Sequence, residues 1–206
     1  MTSEAGRTAI DLTFAPRESY FIILSNGKAR TNTDKAKLRE ALHKAATPIM
    51  ISNDWTVTFD ESVGGPSEPV TFDKLTDWAQ NSDPRIKFYS GTAVYNNTFL
   101  LGKKSKSASY HLAIGQPGSA AQVFVNGKEV GTIWCSPWTL DITSYVKKGK
   151  NQLEIRVANS LWNRLVGDAN KPEADRIMQQ THPLAKPSDK LVPSGLMGKI
   201  EVVTWE

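Results

Sequence analysis

An all-β fold, an antiparallel sandwich or barrel, is what this sequence predicts. First, Asn126-Gly127 stands between the strand-like runs "QVFV" and "KEVGTIW". That dipeptide suits a two-residue hairpin turn, because a type I′ turn needs positive φ at both central positions. Second, in "NQLEIRVAN" Leu153, Ile155 and Val157 face one way while Gln152, Glu154 and Arg156 face the other. Such a strand has one face in a core and one in water. Third, many short strand-like runs are separated by turn signals, with few helical patterns between them.

Taken in chain order, Ile10, Leu12 and Phe14 alternate with polar residues, Pro16 breaks the run, and Tyr20–Leu24 is continuously apolar. These read as two strands. After the polar stretch Ser25–Thr33 a helix is expected over 34–46, capped by Thr33 or Asp34, with Leu38, Leu42 and Ala45 on one face. Pro48 ends it. A boundary follows there, with residues 1–47 as an N-terminal appendage of strands and helix and 48–206 as the main β-domain. Trp55, Val57 and Phe59 then alternate with threonines, and the loop Gly64–Pro69 follows. A short helix is expected over 72–80, stacking Phe72, Leu75 and Trp78, with Asp83-Pro84 as its stop. Further strands are expected over 86–90, 92–101, 108–114, 121–126, 129–134, 151–158 and 199–205.

Composition removes several function classes. The 206 residues are enough for a self-sufficient core, and 39% hydrophobic with 22% charged residues is a globular balance. The net charge of +4 concentrates in two short basic runs, Gly102–Lys106 and Lys147–Lys150. Both lie between strands without interleaved aromatics, so they read as solvated loops and no nucleic-acid partner is expected. Cys135 is the only cysteine, which excludes an internal disulfide and a CxxC metal site. No apolar run approaches the roughly 20 residues of a membrane span, and Phe21–Leu24 is too short for a signal-peptide core.

Catalytic signatures are equally scarce. The chain lacks GxxxxGK[ST], GxGxxG, HExxH and GxSxG, and His43, His111 and His182 are far apart in the sequence. A glycosidase needs two carboxylates about 5–10 Å apart, but 21 acidic residues nominate no particular pair. No alternating βα units suggest a catalytic barrel. By itself the chain does not read as an enzyme.

What remains is aromatic and planar polar side chains at strand ends. Of the six tryptophans, Trp55 and Trp78 fall on apolar faces and read as core, and Trp205 as structural. Trp134 and Trp138 flank "CSP", and Trp162 stands in "NSLWNRLVGD" beside Asn163, Arg164 and Asp168. Exposed indoles stack on the C–H face of a pyranose, while Asn, Asp and Arg satisfy its hydroxyls directionally. These six residues are therefore the candidate ligand-binding set. The competing reading makes Arg164 and Asp168 a surface pair that fastens the loop and adds little stability. Tyr89, Tyr95 and Asn96 form a second candidate group, against a strand with tyrosine hydroxyls at its rim.

One block carries a resemblance. Val125-Asn-Gly127, Val130-Gly131, Pro137, Asp141-Ile-Thr143, Gly149-Lys-Asn151 and then Leu153, Ile155 and Val157 follow one another within 124–160. This series is similar to the sugar-binding β-sandwich of glycoside hydrolase family 2. Residues 82–99, 159–168 and 191–202 further resemble the C-terminal sandwich of bacterial hydrolases of the α-L-rhamnosidase type, family 106. The resemblance implies a galactose-binding-domain-like jelly roll beside a catalytic barrel that this chain does not contain, so no catalytic residue is carried over. It implies a non-catalytic module that binds glycan or supports the parent active site, with carbohydrate and the parent's catalytic domain as partners. The alternatives are a structural docking domain without sugar binding and, behind it, a stand-alone glycosidase. A bacterial periplasmic or extracellular setting is implied as well. No cofactor is expected. Such sandwiches often hold a structural calcium, but no compact acidic calcium loop is present.

Overall fold

The computed structural model describes residues 2–4, 7–9, 48–52, 54–105, 107–169, 171–179, 182 and 184–205. The strands expected over 10–24 and the helix over 34–46 lie outside the described residues. β1 (Thr2–Glu4) and β2 (Arg7–Ala9) form a small antiparallel pair. Next among the described residues come β3 (Ile49–Met50), β4 (Trp55–Thr58) and β5 (Val70–Phe72). After a short helix, α1 (Pro84–Lys87), come β6 (Thr92–Leu101), β7 (Ser109–Ala113), β8 (Gln116–Pro117) and β9 (Ala120–Val125). β10 (Lys128–Ile133), β11 (Thr139–Asp141) and β12 (Gly149–Ala158) precede α2 (Trp162–Ala169). β13 (Leu196–Met197) and β14 (Glu201–Trp205) close the described chain.

Two antiparallel sheets make an all-β sandwich of the expected jelly-roll class. One has six strands in the order β10-β9-β12-β6-β4-β5, the other four in the order β11-β7-β14-β3. Alternation explains the layering. Leu153, Ile155 and Val157 of β12, Val123 and Val125 of β9, and Val57 of β4 are all buried, and they share one cluster with Leu112 of β7 and Val202 of β14. One continuous core thus fills the space between the sheets.

The hairpin is as expected, with Asn126 at φ 52° and Gly127 at φ 76°. Asn126 also does more than turn the chain. Its Nδ2 donates to Tyr145 O and to Asn151 Oδ1, both at 2.9 Å, and its Oδ1 accepts from Gln152 N at 3.1 Å. Fully buried Asn151 in turn accepts from Lys147 N and donates to Lys147 O and Gly149 O. The V-N-G and G-K-N segments are therefore two halves of one satisfied polar knot.

Two sequence expectations change. Residues 72–80 do not form a helix: Phe72 ends β5, and only Trp78–Gln80 make a 3-10 turn capped by Asp77. The reason is tertiary, since Trp78 N donates to Ser194 O and Asp77 Oδ1 accepts from Ser194 N, across the molecule. Nor is 86–90 a strand. Asp83-Pro84 starts α1 instead of stopping a helix: Asp83 Oδ1 accepts from Arg85 N, and proline fits the first helical position, where no N–H is needed.

A Cβ on Gly127 would meet no heavy atom within 4 Å, so any penalty there comes from the backbone. Gly127→Val should destabilise the domain by about 1–2 kcal/mol, the cost of forcing an L side chain into the left-handed region. Urea unfolding followed by tryptophan fluorescence measures it; an unchanged midpoint would mean the turn tolerates a β-branched residue.

Candidate functional site: a polar groove on the six-stranded sheet

The solvent face of the six-stranded sheet is shaped by register. Thr56 of β4 pairs with Asn96 of β6, Asn96 with Glu154 of β12, and Glu154 with Phe124 of β9. Four outward side chains therefore stand in one row across four strands. At about 4.8 Å per strand, the row is roughly 14 Å long. Thr98 opposite Gln152 adds a second, parallel row. Together with Asp54 these residues line a shallow groove of about 500 Å³.

The groove combines hydrogen-bonding side chains with an aromatic ring. Amide and hydroxyl groups of Asn96, Gln152, Thr56 and Thr98 offer both donors and acceptors, and Glu154 adds a charged acceptor. Phe124 supplies the apolar face. Arg156 lies over that ring at 4.4 Å from its centroid and holds Glu154 Oε1 through Nε at 2.7 Å. The cation thus fixes the aromatic and the carboxylate in one arrangement. Alternation had already placed Gln152 and Glu154 on the wet face, and Asn96 belonged to the second candidate group. Phe124 went unnoticed, although the sequence signals it: in "QVFV" it is the aromatic out of phase with Val123 and Val125.

The six sequence candidates lie elsewhere and do not form one surface. Trp134 follows β10 and is 72% exposed. Trp138, beyond the Ser136-Pro137 cis peptide, packs partly against the main core. Trp162 packs on the small cluster of Leu165, Val166 and Ala185, and its indole N–H donates to Lys190 O at 2.9 Å. Asn163 is buried, donating to Val192 O at 2.8 Å and accepting from Val192 N at 2.9 Å. Arg164 and Asp168 do pair, at 3.7 Å, but both are buried, so they are not the surface pair expected. The helical turn of α2 carries them inward. The second candidate group is also rearranged. Tyr89 and Tyr95 are core residues rather than rim residues, and burial raises both phenol pKa values. The Tyr95 hydroxyl accepts from Leu196 N at 3.0 Å.

Among the described residues no group of three or more His, Cys, Asp or Glu side chains is placed to share a metal ion. No described helix is long and apolar enough to cross a membrane.

Residues 22–179 match the model of the glycosyl hydrolases family 2 sugar binding domain. A curated Formosa agariphila protein, named "Putative beta-glucuronidase", is 41% identical over 132 residues, 61% of this chain and 11% of its own. Among solved structures, a rhamnosidase from Novosphingobium sp. PP1Y is 37% identical with a TM-score of 0.71, over 78% of this chain and 15% of that one. A beta-D-glucuronidase from Dictyoglomus thermophilum, 18% identical at TM-score 0.55 over 77% of this chain and 28% of that one, shares the fold. The chain thus spans a small part of each relative.

Because Asn163 holds both backbone groups of Val192, Asn163→Leu should cost about 1–3 kcal/mol for each group left without a partner. A domain of this size then loses about 2–4 °C in thermal midpoint per kcal/mol. Differential scanning calorimetry reads this directly, and an unchanged midpoint would remove Asn163 from the structural framework.

Proposed function

The chain belongs to the glycosyl hydrolase family 2 sugar-binding domains, and on that footing we propose that it is a non-catalytic module that binds glycan for a larger hydrolase. The observation that carries this reading is the row Thr56–Asn96–Glu154–Phe124. It presents paired donors and acceptors beside an aromatic ring over roughly 14 Å, the span of a short oligosaccharide rather than of one reacting bond. Of the groove's two carboxylates, Asp54 and Glu154, the second is held by Arg156 Nε at 2.7 Å, which suits it to fix a ligand rather than to transfer a proton, and we assign the reaction to another domain of the parent. The relatives' names, a beta-glucuronidase and a rhamnosidase, support uronate- and rhamnose-bearing glycans as first ligands and a bacterial periplasmic or extracellular setting.

A second reading has its own observation. Trp134 and Leu100 are 72% and 70% exposed at opposite ends of the sandwich, which suits faces that dock onto the rest of the hydrolase.

Isothermal titration of the 206-residue chain with rhamnose-, galactose- and uronate-containing oligosaccharides separates the two. Glycan binding in the groove predicts saturable heat with at least one of them. Phe124→Ala should weaken it about tenfold, equivalent to about 1.4 kcal/mol, with little change in the unfolding midpoint. A folded protein that gives no heat with any of the set leaves docking as the function.

A further inference from the structure

A second cleft, of about 400 Å³, opens on the other side of α2 between that helix, α1 and the turn at Glu61–Gly65. At its base lies Arg164, only 3% exposed. One side of its guanidinium is spoken for: Nη1 faces Asp168 Oδ1 at 3.7 Å. That carboxylate is already satisfied, with Oδ1 accepting from Lys171 Nζ at 2.9 Å and Oδ2 from Met178 N at 2.8 Å. Two cations therefore share the Asp168 carboxylate; another carboxylate, Glu61, also lines the cleft but makes no bond to Arg164 Nε or Nη2. The other side of Arg164 is unpaired: Nε and Nη2 are buried and have no hydrogen-bond partner among the described residues. These two atoms are the side-on edge of a guanidinium, whose parallel N–H bonds match the two oxygens of a carboxylate.

We propose that this cleft binds a uronic acid, its carboxylate held side-on by the Nε–H and Nη2–H of Arg164. The walls suit a sugar ring that carries the acid. Pro84, Phe88 and Ile177 give an apolar side, Lys171 stands at the rim, and the volume lies in the lower part of the range for small-ligand sites. Ile177 covers the fork. A Cβ on Gly64 would touch Ile177 Cδ1 and come within 3.2 Å of Arg164 Nη2, so one exposed aliphatic side chain lies over the guanidinium edge. Burial also depresses the Arg164 pKa, and a bound carboxylate would reverse that cost. The fork alone selects a bidentate oxyanion; that it is the carboxylate of a sugar rests on the glycan-binding reading above.

The Arg164 Nε–H resonance of the ¹⁵N-labelled chain is the readout, because ligand in the sheet groove does not touch it. Titration with D-glucuronate or D-galacturonate should shift this resonance saturably, while D-glucose should leave it in place. Arg164→Lys, which keeps the charge and loses the fork, should weaken uronate binding at least about tenfold, read in that variant from the backbone amide resonances of the cleft-lining Gly64, Gly65 and Gly167. Ile177→Ala, at an exposed position, should strengthen it. If acetate shifts the resonance with the same affinity as the uronates, the site takes any carboxylate, as a side chain of another domain would supply, and the sugar assignment falls. If no carboxylate moves the resonance, the site assignment falls. Loss of oligosaccharide heat in Phe124→Ala with the uronate shift intact would separate the two sites.

Discussion

The sandwich depends on how it closes. Residues 190–195 cross the end of the fold without regular secondary structure, so their backbone groups have no sheet ladder to satisfy them, and buried groups of that kind must find partners. Side chains from distant segments provide them. Trp162 Nε1 donates to Lys190 O, and Asn163 takes both groups of Val192. Asp77 accepts from Ser194 N, Asn159 from Gly195 N, and Tyr95 from Leu196 N. Gly118 N donates to Gly195 O. One irregular strip thereby joins the 77–95 region, the start of β9 and the segment leading into α2, and the alignment of α2 follows from it.

Packing reinforces this strip. Trp78 stacks on Tyr95 at 6.0 Å between centroids and an interplanar angle of 4°, and meets Tyr89 and Phe59 nearly edge-on or tilted. Gly195 lies directly on the indole: a Cβ there would come within 2.7 Å of the Trp78 ring, at a φ of +85°. Only glycine gives both the conformation and the approach. The tyrosines that resemble sugar contacts in the sequence are instead the inner wall against which the closing segment is pressed. Their hydroxyls are occupied by backbone groups that would otherwise be orphaned.

The strands were legible in the sequence because their signal is local. β6 occupies the expected 92–101, β9 and β10 are each displaced by one residue at both ends, and β12 begins two residues early. The failures share a cause. Phe72, Leu75 and Trp78 recur at helical spacing, but Phe72 is placed by its pairing with Trp55 and Trp78 by the bond of its N to Ser194 O, both distant in sequence. Periodicity cannot see such partners. Asp83-Pro84 fits a helix end and a helix start equally well by composition, and only the chain direction after it decides. The site divides in the same way. Gln152, Glu154 and Asn96 were visible as the wet phase of their strands. Phe124 needed the same rule applied to an aromatic residue, and the row joining four strands needed a register that no single strand specifies.

"NSLWNRLVGD" looks uniform in sequence, yet its residues divide by the direction in which α2 turns them. Asn159, Trp162 and Asn163 reach the closing segment, and their loss would leave backbone groups unpaired. Arg164 and Asp168 turn the other way, and stability does not account for the arginine. Burying a guanidinium is expensive, and an aliphatic residue of similar size in its place is often neutral or stabilising. Its carboxylate partner, moreover, is already held by Lys171 and by the backbone of Met178. A structural ion pair would be expected to use the fork, the strongest geometry a guanidinium has. Here the pairing uses Nη1, at 3.7 Å, and leaves Nε and Nη2 buried without a partner among the described residues. The helix thus secures the fold with one face and holds an unspent bidentate donor on the other, which is the arrangement expected of a residue kept for a ligand.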